Sequence, residues 1–196
     1  MYTYCANDPV NYTDPSGHDA IWLNSKKGAA GLGHAALLIE YAKKWRYFSW
    51  EQGGYKSPRM CRWIRNAVSK SKKKVYKRIN KKRKDKASRP ATKPYTTSIY
   101  IKGNFSNSYH YMCKIKNGKS KYKDYGLGTT NCAWMAIQVL KKGAIGKQKR
   151  KALWNLQYIK KRVGGGRQYK IGKRVIQPNN VNPKIAKIFG SRVKLI

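Results

Sequence analysis

Gly126-Leu127-Gly128-Thr129-Thr130-Asn131-Cys132-Ala133-Trp134-Met135-Ala136-Ile137-Gln138-Val139-Leu140 runs from a glycine turn through a hydroxyl pair into an apolar segment. Ala133, Ala136, Ile137 and Leu140 recur at i, i+3, i+4 and i+7, the spacing of one helical face. Thr129 or Thr130 is the expected cap, because a hydroxyl accepts from the unpaired amides of a first turn. Cys132 then falls in that first turn, where aligned peptide dipoles favour thiolate over thiol. A cysteine at the head of an apolar helix also serves simply as a small buried hydrophobe, so the chemical reading needs a base within reach.

The chain has three histidines, His18, His34 and His110. His34 is the best placed. It opens the run His34-Ala35-Ala36-Leu37-Leu38-Ile39, preceded by Gly28, Gly31 and Gly33, which reads as a buried strand entered from a turn. His18 lies in a leader rich in Pro and Gly. His110 lies in Ser108-Tyr109-His110-Tyr111-Met112, read as a polar strand.

Working outward, Ala20-Ile21-Trp22-Leu23 precedes the His34 strand, and Trp45-Arg46-Tyr47-Phe48-Ser49-Trp50 follows it across a turn at Lys43-Lys44. Aromatic residues of this density suit a pleated, half-buried surface. Antiparallel pairing carries Ser49, Glu51 or Gln52 back toward His34, where a third group is needed to hold the imidazole tautomer. Register favours Ser49; Glu51 is its rival.

Residues 56–94 hold 17 Lys or Arg in 39 positions, with Asp85 the only acid. Ser57-Pro58 is an expected helix start. Met60, Ile64, Ala67, Val68, Val75 and Ile79 form an apolar stripe opposed by basic residues, so a basic amphipathic helix is expected, fading into a linker that ends at Pro90 and Pro94. Beyond it, strands are expected over 95–101 and 109–115, helices over 132–140 and 148–162, and a short basic helix over 183–189. Gly164-Gly165-Gly166 lacks the spacing and the lysine of a phosphate loop and reads as a turn.

The 196 residues contain 45 Lys+Arg against 7 Asp+Glu, a net charge of +38, and no acid follows Asp124. Such charge draws the chain to polyanions: nucleic acid, an anionic lipid surface or an acidic protein. Only four acids follow residue 20, which argues against a nuclease built on metal-binding carboxylates. Cys5, Cys61, Cys113 and Cys132 form no Cys-x-x-Cys pair and are too sparse for a disulfide scaffold, so they are read as reduced and no structural metal is expected. Neither a spanning apolar run nor a signal-peptide pattern is read in the chain.

Two family resemblances are carried by quoted residues. Tyr2-Thr3-Tyr4-Cys5-Ala6-Asn7-Asp8-Pro9 with Asp14-Pro15-Ser16-Gly17 closely resembles the end of the core of RHS-repeat proteins. That signature marks the boundary between a β-cage and a variable C-terminal toxin. The resemblance implies that residues 1–17 are the end of the RHS core and 18–196 a toxin domain, with a basic insertion at about 56–94. The implied partners are the parent cage and a neutralising, acidic immunity protein, and the implied location is that of an effector delivered into or onto a target cell.

Second, Gly33-His34 with its apolar strand, the next strand through Ser49, and the later Asn131-Cys132 look like the circularly permuted papain-like enzymes of the lecithin:retinol acyltransferase group. The expected fold class is therefore α+β, an antiparallel sheet packed against the helix that carries the nucleophilic Cys132. The family's usual second His is absent; Ser49 stands there. The resemblance implies Cys132 as nucleophile, His34 as base, Ser49 as orienting group, and no cofactor or metal. Expected substrates are membrane phospholipid first, then cell-wall peptide or a target protein attacked by a peptidase, amidase or deamidase of the same fold. A metal-free toxin directed at nucleic acid, with Cys132 merely structural, is the second alternative.

Overall fold

The computed structural model describes residues 18–28, 31–50, 69–84, 93–117, 119, 131–162, 168–173 and 176–195. The junction segment 1–17, Glu51, Gln52, the Ser57-Pro58 helix start, Thr129, Thr130 and the triple glycine lie outside the described residues.

Apolar runs bounded by turns produce the first three strands: β1 (Ala20–Ser25), β2 (His34–Tyr41) and β3 (Lys44–Ser49). The hairpin between β2 and β3 turns on Ala42 and Lys43, one residue before the expected Lys43-Lys44, both at positive φ, the geometry that matches strand twist in a two-residue loop. β4 (Thr97–Ile101) and the exposed β7 (Val193–Leu195) complete an antiparallel sheet in the order β3-β2-β1-β4-β7. A separate hairpin joins β5 (Tyr158–Arg162) to β6 (Gln168–Lys173).

Successive side chains on a strand point to opposite faces, and here both faces are covered. Ala20, Trp22, Ala35, Leu37, Ile39, Phe48, Ile99 and Ile101 join one core with α2 (Ser106–Lys116), α3 (Cys132–Leu140), α4 (Lys147–Gln157) and α5 (Pro178–Phe189). Ile21, Leu23, Ala36, Leu38, Trp45 and Tyr47 join a second core with Val75 and Ile79 of α1 (Lys72–Lys84) and with Tyr95. The described part is thus α+β, a five-stranded antiparallel sheet between one basic helix and a layer of four. No helix among the described residues is long and apolar enough to cross a membrane.

Several sequence expectations are corrected. The segment expected as a strand over 109–115 is helical, because Ser108, Met112 and Ile115 at i, i+4 and i+7 are its buried residues and the aromatic side chains between them lie toward the surface. The helix expected over 148–162 stops at Gln157, where the chain extends into β5. The C-terminal helix starts at Pro178 rather than 183: Pro178 takes the first-turn position that tolerates a missing N–H, and Pro183 is carried inside the helix. The described part of the basic insertion is helical over Lys72–Lys84, with Val75 and Ile79 facing the sheet and Lys73, Lys74, Lys77 and Lys81 exposed.

Candidate active site

His34 is the first residue of β2 and pairs with Ser25 of β1. Two glycines set its approach. A Cβ on Gly28 would stand 2.9 Å from the His34 Cβ, and Gly33, at φ +93°, occupies a backbone region that L side chains rarely adopt. The β2–β3 register puts Ser49 opposite Ala36, so Ser49 lies diagonally across from His34 on the same face. The Ser49 hydroxyl and His34 Nε2 are 2.9 Å apart, a hydrogen bond that commits one ring nitrogen. The described carboxylates, Asp19 and Glu40, belong to the opposite end of these strands, where Tyr100 donates its hydroxyl proton to Asp19. Among the described residues a hydroxyl, not an acid, therefore meets the imidazole.

The wall behind His34 comes from Tyr95, just after the basic insertion, and from the insertion's Asn80 and Arg83, which hold it. The Tyr95 ring lies 6.1 Å from the imidazole, centre to centre, and its hydroxyl is 2.7 Å from that of Tyr47. Asn80 grips Tyr95 by both backbone groups, accepting from its N–H at 2.9 Å and donating to its carbonyl at 3.1 Å. Arg83 is buried, donates from Nε to the Lys93 carbonyl at 2.8 Å and places its guanidinium 4.4 Å over the Tyr95 ring. Sequence reasoning missed Arg83, although Val75, Ile79 and Arg83 share i, i+4, i+8 spacing and so the buried face of one helix.

Burial, and secondarily the Arg83 charge, hold the His34 imidazole well below its ordinary 6.5. The ring is therefore neutral at neutral pH, the form a general base requires. In the unfolded chain it titrates normally, so its contribution to stability is complete above pH 6.5 and is lost as pH falls from there toward the depressed folded value. Melting temperature should drop more steeply in wild type than in His34→Gln as pH is lowered below 6.5. Parallel curves would show that burial does not disfavour the imidazolium.

Cys132 is the first residue of α3, a buried thiol outside any disulfide, at a helix start. The cap is Asn131 rather than either threonine: its Oδ1 accepts from the Trp134 N–H at 3.0 Å. The Asn131 carbonyl accepts from Met135 N–H, so the first-turn amides not used by the cap are those of Cys132 and Ala133. The other half of the Asn131 amide donates to the Ile176 carbonyl at 2.7 Å. Ser108 donates to the Val139 carbonyl, and Gln157 to the Trp134 carbonyl, which fixes α3 between α2 and α4.

The structure thus brings His34 and Ser49 into direct contact and puts Cys132 at the head of the helix lying across β2 and β3. His34 and Ser49 share the strand face of Ala36 and Tyr47, whereas α3 packs on the face of Ala35 and Leu37. Gly33, the residue that delivers His34, and Asn179 meet at the open end of β2. His18 and His110 lie apart from this, around the Tyr41 ring near the far end of β2. Comparison with protein-family models, curated proteins and solved structures finds no match to this chain.

Proposed function

We propose that this chain is a toxin domain at the end of an RHS-repeat protein, acting as a cysteine-dependent hydrolase or acyltransferase on membrane phospholipid. The observation that carries the reading is the Ser49–His34 Nε2 bond at the start of β2, combined with an Asn-capped helix that begins at Cys132. A strand imidazole oriented by the neighbouring strand and a thiol at a helix head are the parts of a Cys–His pair in permuted papain-like order.

In this reading Nε2 is held by Ser49, and Nδ1 takes the Cys132 thiol proton. The thiolate attacks the ester carbonyl, and the oxyanion forms beside the Cys132 and Ala133 amides, where the helix dipole favours negative charge. The C–O bond breaks as the imidazolium protonates the leaving alcohol, giving a thioester. Water or an acceptor alcohol or amine then attacks, His34 removes its proton, and the thiol is regenerated with release of the acyl product.

The exposed lysines of α1 supply electrostatic attraction to an anionic bilayer, about 1 kcal/mol for each basic residue near the surface. The same positive surface suits an acidic immunity protein and favours release from a cage into a polyanionic environment.

The deciding experiment is mass spectrometry of phospholipids from cells expressing the chain, beside Cys132→Ala and His34→Ala. Loss of a diacyl lipid with gain of its lyso or acyl-transferred product, absent in both variants, supports the lipid enzyme. Unchanged lipids with toxicity still dependent on Cys132 move the substrate to peptide or protein. Toxicity that survives Cys132→Ala ends the catalytic reading and transfers the function to the basic surface, with nucleic acid as its target.

Ser49→Ala tests the orienting bond. Losing one hydrogen bond of about 1–1.5 kcal/mol should slow turnover roughly tenfold with little change in KM. A rate equal to wild type would remove Ser49 from the site.

A further inference from the structure

Residues 176–179 are tied to both halves of the candidate site. At one end the Ile176 carbonyl receives the Asn131 amide, next to Cys132. At the other, the Asn179 side chain engages the turn between β1 and β2 that delivers His34. Its Nδ2 donates to the Gly31 carbonyl at 2.8 Å and the Lys26 carbonyl at 3.1 Å, and its Oδ1 accepts from Asn24 Nδ2 at 2.9 Å. The Asn179 N–H adds a long bond to the Leu32 carbonyl at 3.4 Å.

Gly33 supplies an independent sign of this fit: a Cβ there would lie 2.5 Å from Asn179 Oδ1 and 3.0 Å from its backbone nitrogen. The chain gives up a side chain immediately before His34 so that Asn179 can seat. Between the two anchors stand Gln177, the N-cap of α5, and Pro178 at the helix start, whose ring fixes φ. Three residue steps span at most about 11 Å, so the attachment points of the two halves cannot drift apart. Val181, Ile185 and Ala186 bury α5 against the same core as α3, which anchors the brace itself.

We propose that Asn179 is a positioning residue that sets the separation of His34 from Cys132, by clamping the His34 turn to the segment holding the Cys132 helix cap. The proposal rests on the Cys–His reading. It adds the C-terminal helix to the machinery as the element that fixes reacting geometry, through hydrogen bonds to Asn24, Lys26, Gly31 and Leu32. Displacement of a reacting group by an ångström costs on the order of a hundredfold in rate. Removing the clamp should therefore act on turnover rather than on binding.

The test reads the thiol directly and needs no substrate. Iodoacetamide alkylation of Cys132 is followed by peptide mass from about pH 5 to about pH 9, with the Cys113 peptide as internal reference. In wild type, Cys132 should be alkylated faster than an ordinary thiol at neutral pH, where the neutral His34 takes its proton, and His34→Ala should move its profile to that of an ordinary thiol near about 8.5. Asn179→Ala should shift the Cys132 profile most of the way to that of His34→Ala while Cys113 is unchanged. Asn179→Asp keeps the size and the acceptor for Asn24 but loses both donors to the turn, so it should shift the profile with the fold retained. Asn180→Ala, which removes only a side-chain bond to Gln177, should match wild type. Folded Asn179 variants with a wild-type Cys132 profile would overturn the clamp. Coincident wild-type and His34→Ala profiles would instead overturn the Cys–His reading, and the clamp with it.

Discussion

Cys132→Ala should abolish turnover, by at least about a thousandfold, and His34→Ala should lower it by about a hundredfold to ten-thousandfold. Without the sulfur no thioester forms; without the imidazole the thiol keeps its proton, and the leaving alcohol leaves unprotonated. Because the two groups act as a unit, the double variant should be no slower than Cys132→Ala alone. Growth of expressing cells and release of acyl product are the measurements. Multiplicative losses in the double variant would mean that the residues act independently and that the pair is not catalytic. Ordinary melting of the Cys132→Ala protein is part of the expectation, since a single sulfur at the helix head contributes little to a core built on Trp22, Leu37, Ile99 and Trp134.

Asn131→Ala should cost about 2–4 kcal/mol of stability. Loss of an N-cap side chain accounts for about 1 kcal/mol. The Ile176 carbonyl, left without its 2.7 Å donor, adds about 1–3 kcal/mol for a buried acceptor without a partner. In a chain of this size that lowers the melting temperature by roughly 5–15 °C. Asn131→Asp separates the two contributions: it keeps the cap acceptor for Trp134 but turns an acceptor toward Ile176, so it should recover only part of the loss. Urea and thermal melts of the three proteins check this. A neutral Asn131→Ala would mean that neither bond is maintained in solution.

Much of the architecture is written in local pattern. The apolar runs at Ile21, Leu37 and Phe48 read as strands because both faces of the sheet are covered, and α3 reads as a helix because Ala133, Ala136, Ile137 and Leu140 recur at helical spacing. The diagonal neighbour of His34 needed the structure: a turn at Lys43-Lys44 would pair Ser49 with Leu38, whereas the observed turn at Ala42-Lys43 pairs it with Ala36. Other readings failed where local signals compete. Tyr109-His110-Tyr111 has the aromatic density of a strand, yet its periodicity over Ser108, Met112 and Ile115 is helical and packing decides for the helix. The cap is Asn131 rather than the threonines before it, and its amide also reaches Ile176, forty-five residues away.

The sequence by itself determined the candidate chemistry: a thiol at a helix head, an imidazole at a strand start, a hydroxyl one strand over and an overwhelming positive charge. Periodicity and turn residues act over a few positions, and these features are of that range. Tertiary structure alone decided what surrounds them. Arg83 from the basic insertion and Tyr95 just beyond it wall in the imidazole, and residues 176–179 link the two halves of the site. Contacts between residues forty-five to one hundred and forty-eight positions apart leave no local periodicity; they exist only once the sheet and helices have closed on a shared core.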